Sequence, residues 1–262
     1  MRGVICLAIL GFALAAAGES QADRTIQPTT IEQYPFVAAL LRSADGTNFQ
    51  HRCGGSILNN RAVLTAGHCV YEDAPIRWRF RVGSSSHSSG GTVYLVTHIA
   101  LNDFDEWSMG WDIAIVHTSQ RIVPGDSVQP GIFAGANYPL ADNQRVSTAG
   151  WGSISMPSWH PGQFEDIHEH QQWTMDSATC RYWFNQEGLG IQPHQICSGF
   201  PDPTQLGADN ARDKCFGEPG APLVHNGVVV GIRSFAVSCS NPEVPTASTR
   251  VSSFIEWISN NV

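Results

Sequence analysis

A chain of 262 residues, 42% hydrophobic and 15% charged, is long enough for one large domain or two small ones, and its 25 Gly and 15 Pro favour short strands joined by many turns. The formal net charge is -8 and no run of Lys or Arg interrupts it. A nucleic-acid or heparin-like partner is thereby disfavoured, because binding a polyanion needs a clustered basic surface. The first element, Met1 to Gly18, reads as a targeting signal. Arg2 supplies a positive start, Val4 to Ala17 is almost wholly apolar, and Ala15-Ala16-Ala17 offers small residues for cleavage. We therefore expect a signal peptide over 1–17 and a short propeptide-like segment over 18–24. The apolar run is too short to span a bilayer and no comparable run follows, so the predicted location is secreted and extracellular, with no membrane partner.

Cys6 falls in the removed segment, which leaves Cys53, Cys69, Cys180, Cys197, Cys215 and Cys239, an even number in a chain bound for an oxidising compartment. Six cysteines allow fifteen pairings, and the sequence alone does not choose among them. No Cys-x-x-Cys or paired Cys/His spacing supports zinc in their place. The chain carries no internal repeat, low-complexity tract or acceptor triplet for N-glycosylation.

After the signal, apolar runs of four to seven residues alternate with turn clusters. Phe36–Leu41, Ala62–Thr65, Val93–His98, Ile113–Val116, Val146–Ala149 and Val228–Ile232 read as strands. Gly83–Gly91, Pro124-Gly125 and Pro201–Pro203 read as turns. Short strands at this spacing predict an all-β sandwich or barrel. Only Val251 to Ile258 reads as a helix, with Ser252 or Ser253 as its cap and Phe254, Ile255 and Ile258 on one face.

Two clusters invite a sharper reading. His160, His168 and His170 lie close to Glu165, Asp166 and Glu169. His168 and His170, two apart on a predicted strand, share a face. Spacing of this kind matches by chance often, so the expectation is a polar outer face and no metal. The segment Asn102 to Trp111 holds Phe104, Trp107 and Trp111, which would serve a partner-binding surface or, more commonly, pack down on their own loop.

Three separated segments then carry a resemblance. Cys53-Gly54-Gly55-Ser56-Ile57-Leu58 followed by Leu64-Thr65-Ala66-Gly67-His68-Cys69 resembles the histidine motif of the trypsin-like serine proteases. Asp112-Ile113-Ala114-Ile115-Val116 resembles their aspartate motif, and Asp213-Lys214-Cys215-Phe216-Gly217-Glu218-Pro219-Gly220-Ala221-Pro222-Leu223 fits the frame of their nucleophile motif. Ala149-Gly150-Trp151-Gly152, Gly231-Ile232-Arg233-Ser234-Phe235 and Thr249-Arg250-Val251 occur in the family's order as well, so the likeness covers residues 25 to 262. It implies an all-β fold of two packed six-stranded antiparallel β-barrels with a C-terminal helix, a boundary near residue 138, and a working groove between the barrels. It also implies the disulfides Cys53–Cys69, Cys180–Cys197 and Cys215–Cys239.

The family's chemistry needs a serine hydroxyl, a histidine to take its proton and a buried carboxylate to orient that histidine. By resemblance His68 and Asp112 hold the second and third positions, while the nucleophile position holds Pro219. Proline has no hydroxyl, and it lacks the backbone N–H that would be one of two oxyanion donors; Gly217 would keep the other. Glu218 stands where an aspartate normally receives the new N-terminus. Arg24 is followed by Thr25-Ile26-Gln27-Pro28 and not by Ile-Val-Gly-Gly, so the former activation site Arg24, Thr25 and Glu218 is altered too. Asp213 matches the carboxylate that accepts a basic side chain in trypsins, with Ser234, Ala236 and Thr246 as pocket residues, two of them replacing glycines. The resemblance thus implies a non-catalytic homologue, not an enzyme. It would need no cofactor and act as a monomer by binding proteins or peptides: proteases, protease inhibitors or recognition partners. His68 and Asp112 would be a vestigial pair or a structural contact. The alternative is a serine-type endopeptidase of trypsin-like specificity with residual activity, and we expect Pro219→Ser alone not to restore activity.

Overall fold

The segment Trp78-Arg79-Phe80-Arg81-Val82 alternates large apolar and cationic residues, the period-two pattern of a half-buried strand. It forms a strand with Trp78, Phe80 and Val82 inside and both arginines partly exposed. The computed structural model, which describes residues 26–152, 164–200, 215–238, 241 and 243–262, is built largely from such segments. In chain order they are β1 (Ile26–Pro28), β2 (Val37–Arg42), β3 (Gln50–Ile57), β4 (Ala62–Thr65), β5 (Trp78–Val82), β6 (Thr92–Leu95), β7 (His98–Leu101) and β8 (Ala114–His117). They continue with β9 (Ile132–Phe133), β10 (Arg145–Gly150), β11 (His168–Thr174), β12 (Gln195–Gly199), β13 (Pro222–His225), β14 (Val228–Ala236) and β15 (Thr246–Arg250). Three short helices complete the fold: α1 (Gly67–Val70), α2 (Ser177–Gln186) and α3 (Ile255–Asn260).

The first sheet runs β6-β5-β2-β3-β4-β8-β7 and curls on itself. Its end strands β6 and β7 are separated only by Val96 and Thr97, whose N–H groups donate to Trp78 and His117 on the two opposite flanking strands. One predicted strand, Val93–His98, therefore bends and counts as two, so this half is a seven-stranded curled sheet where six strands were expected. In the second sheet β11, β10, β13, β14, β15 and β12 pair in sequence and β12 returns to β11, which closes a six-stranded barrel. β1 adds to its β11 edge, and β9 runs parallel to β14, so both lie with the second barrel. The architecture is mostly β with a C-terminal helix, as expected.

The interiors of the two halves differ. The first is filled by apolar side chains such as Val37, Leu40, Val63, Phe80 and Ile115. The second buries Thr148, His170, Gln172, Ser198, Arg233 and Thr246 among its apolar residues. Two helical details depart from the sequence reading. The predicted C-terminal helix is a 3-10 turn over Val251–Ser253 followed by α3, because Phe254 breaks the run at φ -120° and ψ 10° while its ring is buried. Neither Ser252 nor Ser253 caps it. Helix α2 was not expected; Asp176 caps it by accepting from the N–H groups of Ala178 and Thr179.

Candidate active site

Asp112 lies just before β8 and is fully buried, and burial on its own raises a carboxyl pKa. Three contacts at the carboxylate answer that cost, and a fourth holds the backbone. The His68 backbone N–H donates to Oδ1 at 2.8 Å, and His68 Nδ1 lies 2.8 Å from Oδ2. Ser234 on β14 donates a short hydrogen bond to Oδ2, and Thr249 on β15 donates to the Asp112 carbonyl at 2.8 Å. Burial is outweighed by the interaction with His68 and the hydrogen bonds from His68 and Ser234, and the net shift holds Asp112 below the usual carboxylate range. An ionised carboxylate only accepts, so Nδ1 carries the imidazole proton and Nε2 is the basic nitrogen. His68 comes from α1 of the first half and Ser234 from the second barrel, so Asp112 ties the halves at the point where a base is set. Gly67 permits the approach: a Cβ there would stand 3.1 Å from Ile113 N and 3.3 Å from Asp112 Oδ1.

The loop Cys215–Ala221 packs against the same strand-to-α1 segment. Gly54 N–H donates to the Pro219 carbonyl at 2.8 Å. Gly220, at φ +83°, faces Gly54 O and Thr65 Oγ1 so closely that a Cβ would fall 2.3 Å from each. Thr65 in turn leads through Ala66 and Gly67 into His68. Gly217, at φ +93°, donates its N–H to Gly152 O at 2.8 Å. The expected oxyanion donor is therefore engaged inside the protein, a correction whose cause is the direction of this peptide unit.

Glu218 turns away from the groove. Its Oε2 accepts from Trp151 N–H at 2.9 Å and Gly152 N–H at 2.8 Å, and its Oε1 stands 3.4 Å from His51 Nε2. Burial raises its pKa, but the contacts with His51 and the backbone donors outweigh this and lower it overall. Gly150 makes room for the longer side chain, since a Cβ there would lie 2.4 Å from Oε2. The seat expected for a new N-terminus is thus filled by the chain's own groups. Arg24, Thr25 and the signal segment lie outside the described residues.

Of the expected pocket residues, Ser234, Ala236 and Thr246 are buried on β14 and β15, with Ala236 and Thr246 directly opposite one another. Asp213 lies outside the described residues. The sequence reading gave no role to Arg233, whose guanidinium donates to Thr246 Oγ1 at 2.5 Å. Thr249 and Gly67, each inside a quoted motif, were likewise left without one, as was His51, two residues before the first motif. Disulfides join Cys53 to Cys69 and Cys180 to Cys197. Cys215 is disulfide-bonded, and Cys239 lies outside the described residues.

The histidine cluster resolves differently from its expectation. His170 is not on an outer face: it is completely buried, and neither ring nitrogen has a hydrogen-bond partner among the described residues. Burial, with a smaller effect of Arg233, pushes its pKa down to about 3, so it is neutral. His168 stacks on Phe164, and His160 lies outside the described residues. In the aromatic loop Phe104 packs near Tyr71 and His68, Trp111 stacks on His194, and Trp107 stands in solvent at 85% exposure. Among the described residues no helix is long and apolar enough to cross a membrane.

This geometry, a buried carboxylate orienting a histidine between two β halves, defines a hydrolase-type centre of the kind that serine proteases carry. A family model described as Trypsin matches residues 24–258. The chain is 42% identical to alkaline trypsin A of Manduca sexta over the whole of both chains, and 38% identical to trypsin CFT-1 of Choristoneura fumiferana, again over both full lengths. Among solved structures, the scabies mite inactivated protease paralogue S-D1 superposes with a TM-score of 0.76 at 24% identity, covering 90% of this chain and 96% of that one, which shows the fold. The chain belongs to the trypsin family. The expectation that it is not an enzyme is overturned by these relatives: kin of 42% identity over full length are named trypsins, which points to a protease.

Proposed function

We propose that the protein is a secreted, monomeric endopeptidase of low turnover, which binds a polypeptide segment between its two β halves and cleaves it with water activated by His68. The observation that carries this reading is the fully buried Asp112 carboxylate, engaged at once by His68 N–H, His68 Nδ1 and Ser234. A histidine held in that tautomer offers Nε2 as a base toward the groove. Residue 219 is proline, so no side-chain hydroxyl is available there to form an acyl intermediate. Water supplies the oxygen instead. Its proton passes to His68 Nε2 as the oxygen adds to the carbonyl carbon, and the tetrahedral adduct collapses as His68 returns that proton to the departing amine.

The rate must be modest. With one triad member missing, about 10³–10⁴-fold acceleration over water typically remains. A missing oxyanion donor removes about 10²–10³ in turnover from an intact site. Extracellular placement is supported by the disulfides, which persist in oxidising compartments, and by the apolar N-terminal run. Substrate and inhibitor proteins are the natural partners of such a groove.

The test is digestion of denatured casein by purified protein, with cleavage sites mapped by mass spectrometry, beside His68→Ala and with a fluorophosphonate label in parallel. Slow cleavage that vanishes in His68→Ala, with no covalent labelling, is the expected result. Cleavage unchanged in His68→Ala, or none above the buffer control, would refute the proposal.

A further inference from the structure

Arg233 occupies the interior of the second barrel, flanked in sequence by Ile232 and Ser234, and it is completely buried. Its guanidinium sits in a constructed cradle. Nη1 donates to Thr246 Oγ1 at 2.5 Å, to Gln172 Oε1 at 3.2 Å and to Ser198 Oγ at 3.3 Å, while Nη2 donates to the Phe216 carbonyl at 3.2 Å. The cradle is itself cross-braced: Ser198 Oγ donates to Gln172 Oε1 at 2.8 Å, and Thr246 Oγ1 donates to the Ser198 carbonyl at 3.1 Å. Strands β11, β12 and β15 and the loop after Cys215 all contribute acceptors. A buried guanidinium is costly unless its donors are answered in this way.

The cradle coincides with the expected side-chain pocket. Thr246, one of its walls, is a direct partner of Arg233, and Ser234, another, is the next residue. The third wall, Ala236, faces Thr246 across the ladder. The guanidinium also lies under the loop that ends at Pro219: a Cβ on Gly217 would stand 3.4 Å from Arg233 Nε. Burial lowers the Arg233 pKa to about 9, which leaves it a cation at neutral pH.

We infer that Arg233 is a specificity-determining residue, placing a cation of the chain's own at the floor of the side-chain pocket, so that the pocket rejects Arg and Lys and takes small uncharged side chains. The inference rests on reading the groove as a peptide-binding site. Two effects produce it. A second cation entering a water-poor pocket is repelled by the first. Thr246, Ala236 and the guanidinium also take up room that a long side chain needs.

The experiment is a fluorescence titration with p-aminobenzamidine, a small cationic pocket probe, on the full chain, Arg233→Met and Arg233→Met/Thr246→Gly. The native chain should bind the probe at least tenfold more weakly than either folded variant. Equal affinity in all three would overturn the inference. Because a buried arginine is being removed, a second measurement uses only the native chain. Two peptides with a reduced scissile bond, one presenting alanine and the other arginine to the pocket, are compared by calorimetry. The alanine peptide should bind at least tenfold tighter, and the opposite order would overturn the inference. Neither titration reads hydrolysis. A chain that never cleaves casein but shows these preferences would sink the proposed activity alone, and equal amidine binding with cleavage intact would sink this inference alone.

Discussion

His170 couples the second barrel to acid. It is neutral in the fold because burial, aided by Arg233, drives its pKa down to about 3, whereas an unfolded histidine titrates near its ordinary value of 6.5. Between those two values the unfolded chain binds a proton that the folded chain refuses, so stability falls as pH falls through that window. Each pH unit below the unfolded value costs about 1.4 kcal/mol. Between pH 7 and pH 4.5 the loss from this one residue is therefore about 3 kcal/mol. The assay is guanidinium denaturation at both pH values for the native chain and His170→Met, which keeps an apolar body of similar length. His87, His117 and His194 also have lowered values from burial and act in both proteins alike, so they cancel in the comparison. The native chain should lose about 3 kcal/mol more than His170→Met on acidification. An equal loss in both would show that His170 is hydrated or partnered in solution and would refute the reasoning.

Three further outcomes follow from the same geometry. Asp176→Ala removes both acceptor contacts at the start of α2 and should destabilise the protein by about 1 kcal/mol, seen as a lower denaturation midpoint with unchanged slope. Replacing Cys180 and Cys197 by alanine opens a loop of 17 residues and should cost about 3 kcal/mol on the chain-entropy scale, measured the same way. Pro219→Ser restores a hydroxyl at the nucleophile position but leaves the Gly217 N–H bound to Gly152 O, so its turnover on a matched peptide should stay about 10²–10³-fold below that of an intact trypsin. Parity with such an enzyme would show that the Gly217 peptide turns outward when substrate binds.

Apolar runs carried part of the first sheet. Ala62–Thr65 became a strand at the predicted residues and is buried on both faces, whereas Trp78–Val82, with one face buried, was not among the predicted strands because its arginines interrupt the apolar run. Val93–His98 kept its place but bent at Val96 and Thr97, since its two halves pair with opposite neighbours, a long-range choice that no local pattern encodes. Helix α2 escaped notice because only Cys180 and Phe184 are buried along it, too few to produce a periodic stripe, although Asp176 offered the cap signal. His68, Asp112, Ser234 and Thr249 were legible as motif fragments, and the fold brings all four together. Arg233 stood inside a quoted motif, one residue past the predicted strand Val228–Ile232, and nothing local marked it as buried. Its burial depends on acceptors from β11, β12 and β15, which are up to 61 residues away in sequence.

The same asymmetry explains why the two halves play different parts in the site. The first half holds His68 and Asp112 on an apolar packing. The second barrel contributes the hydroxyls of Ser234 and Thr249 to Asp112, and beneath them it buries a cation, a neutral imidazole and several hydroxyls in place of hydrocarbon. The cation is tolerable there because four acceptors are arranged around Arg233, while His170 avoids the cost of a buried charge by staying neutral. Glu218 obeys the same rule on the other side of the loop, where two backbone donors and His51 meet its carboxylate and Gly150 yields the space. The loop bearing Pro219 is thus anchored from below at Phe216 by Arg233 and from behind by Glu218. Both anchors are made of charges already satisfied within the chain, so the loop's conformation is set by internal partners before a substrate or a new N-terminus can compete for them.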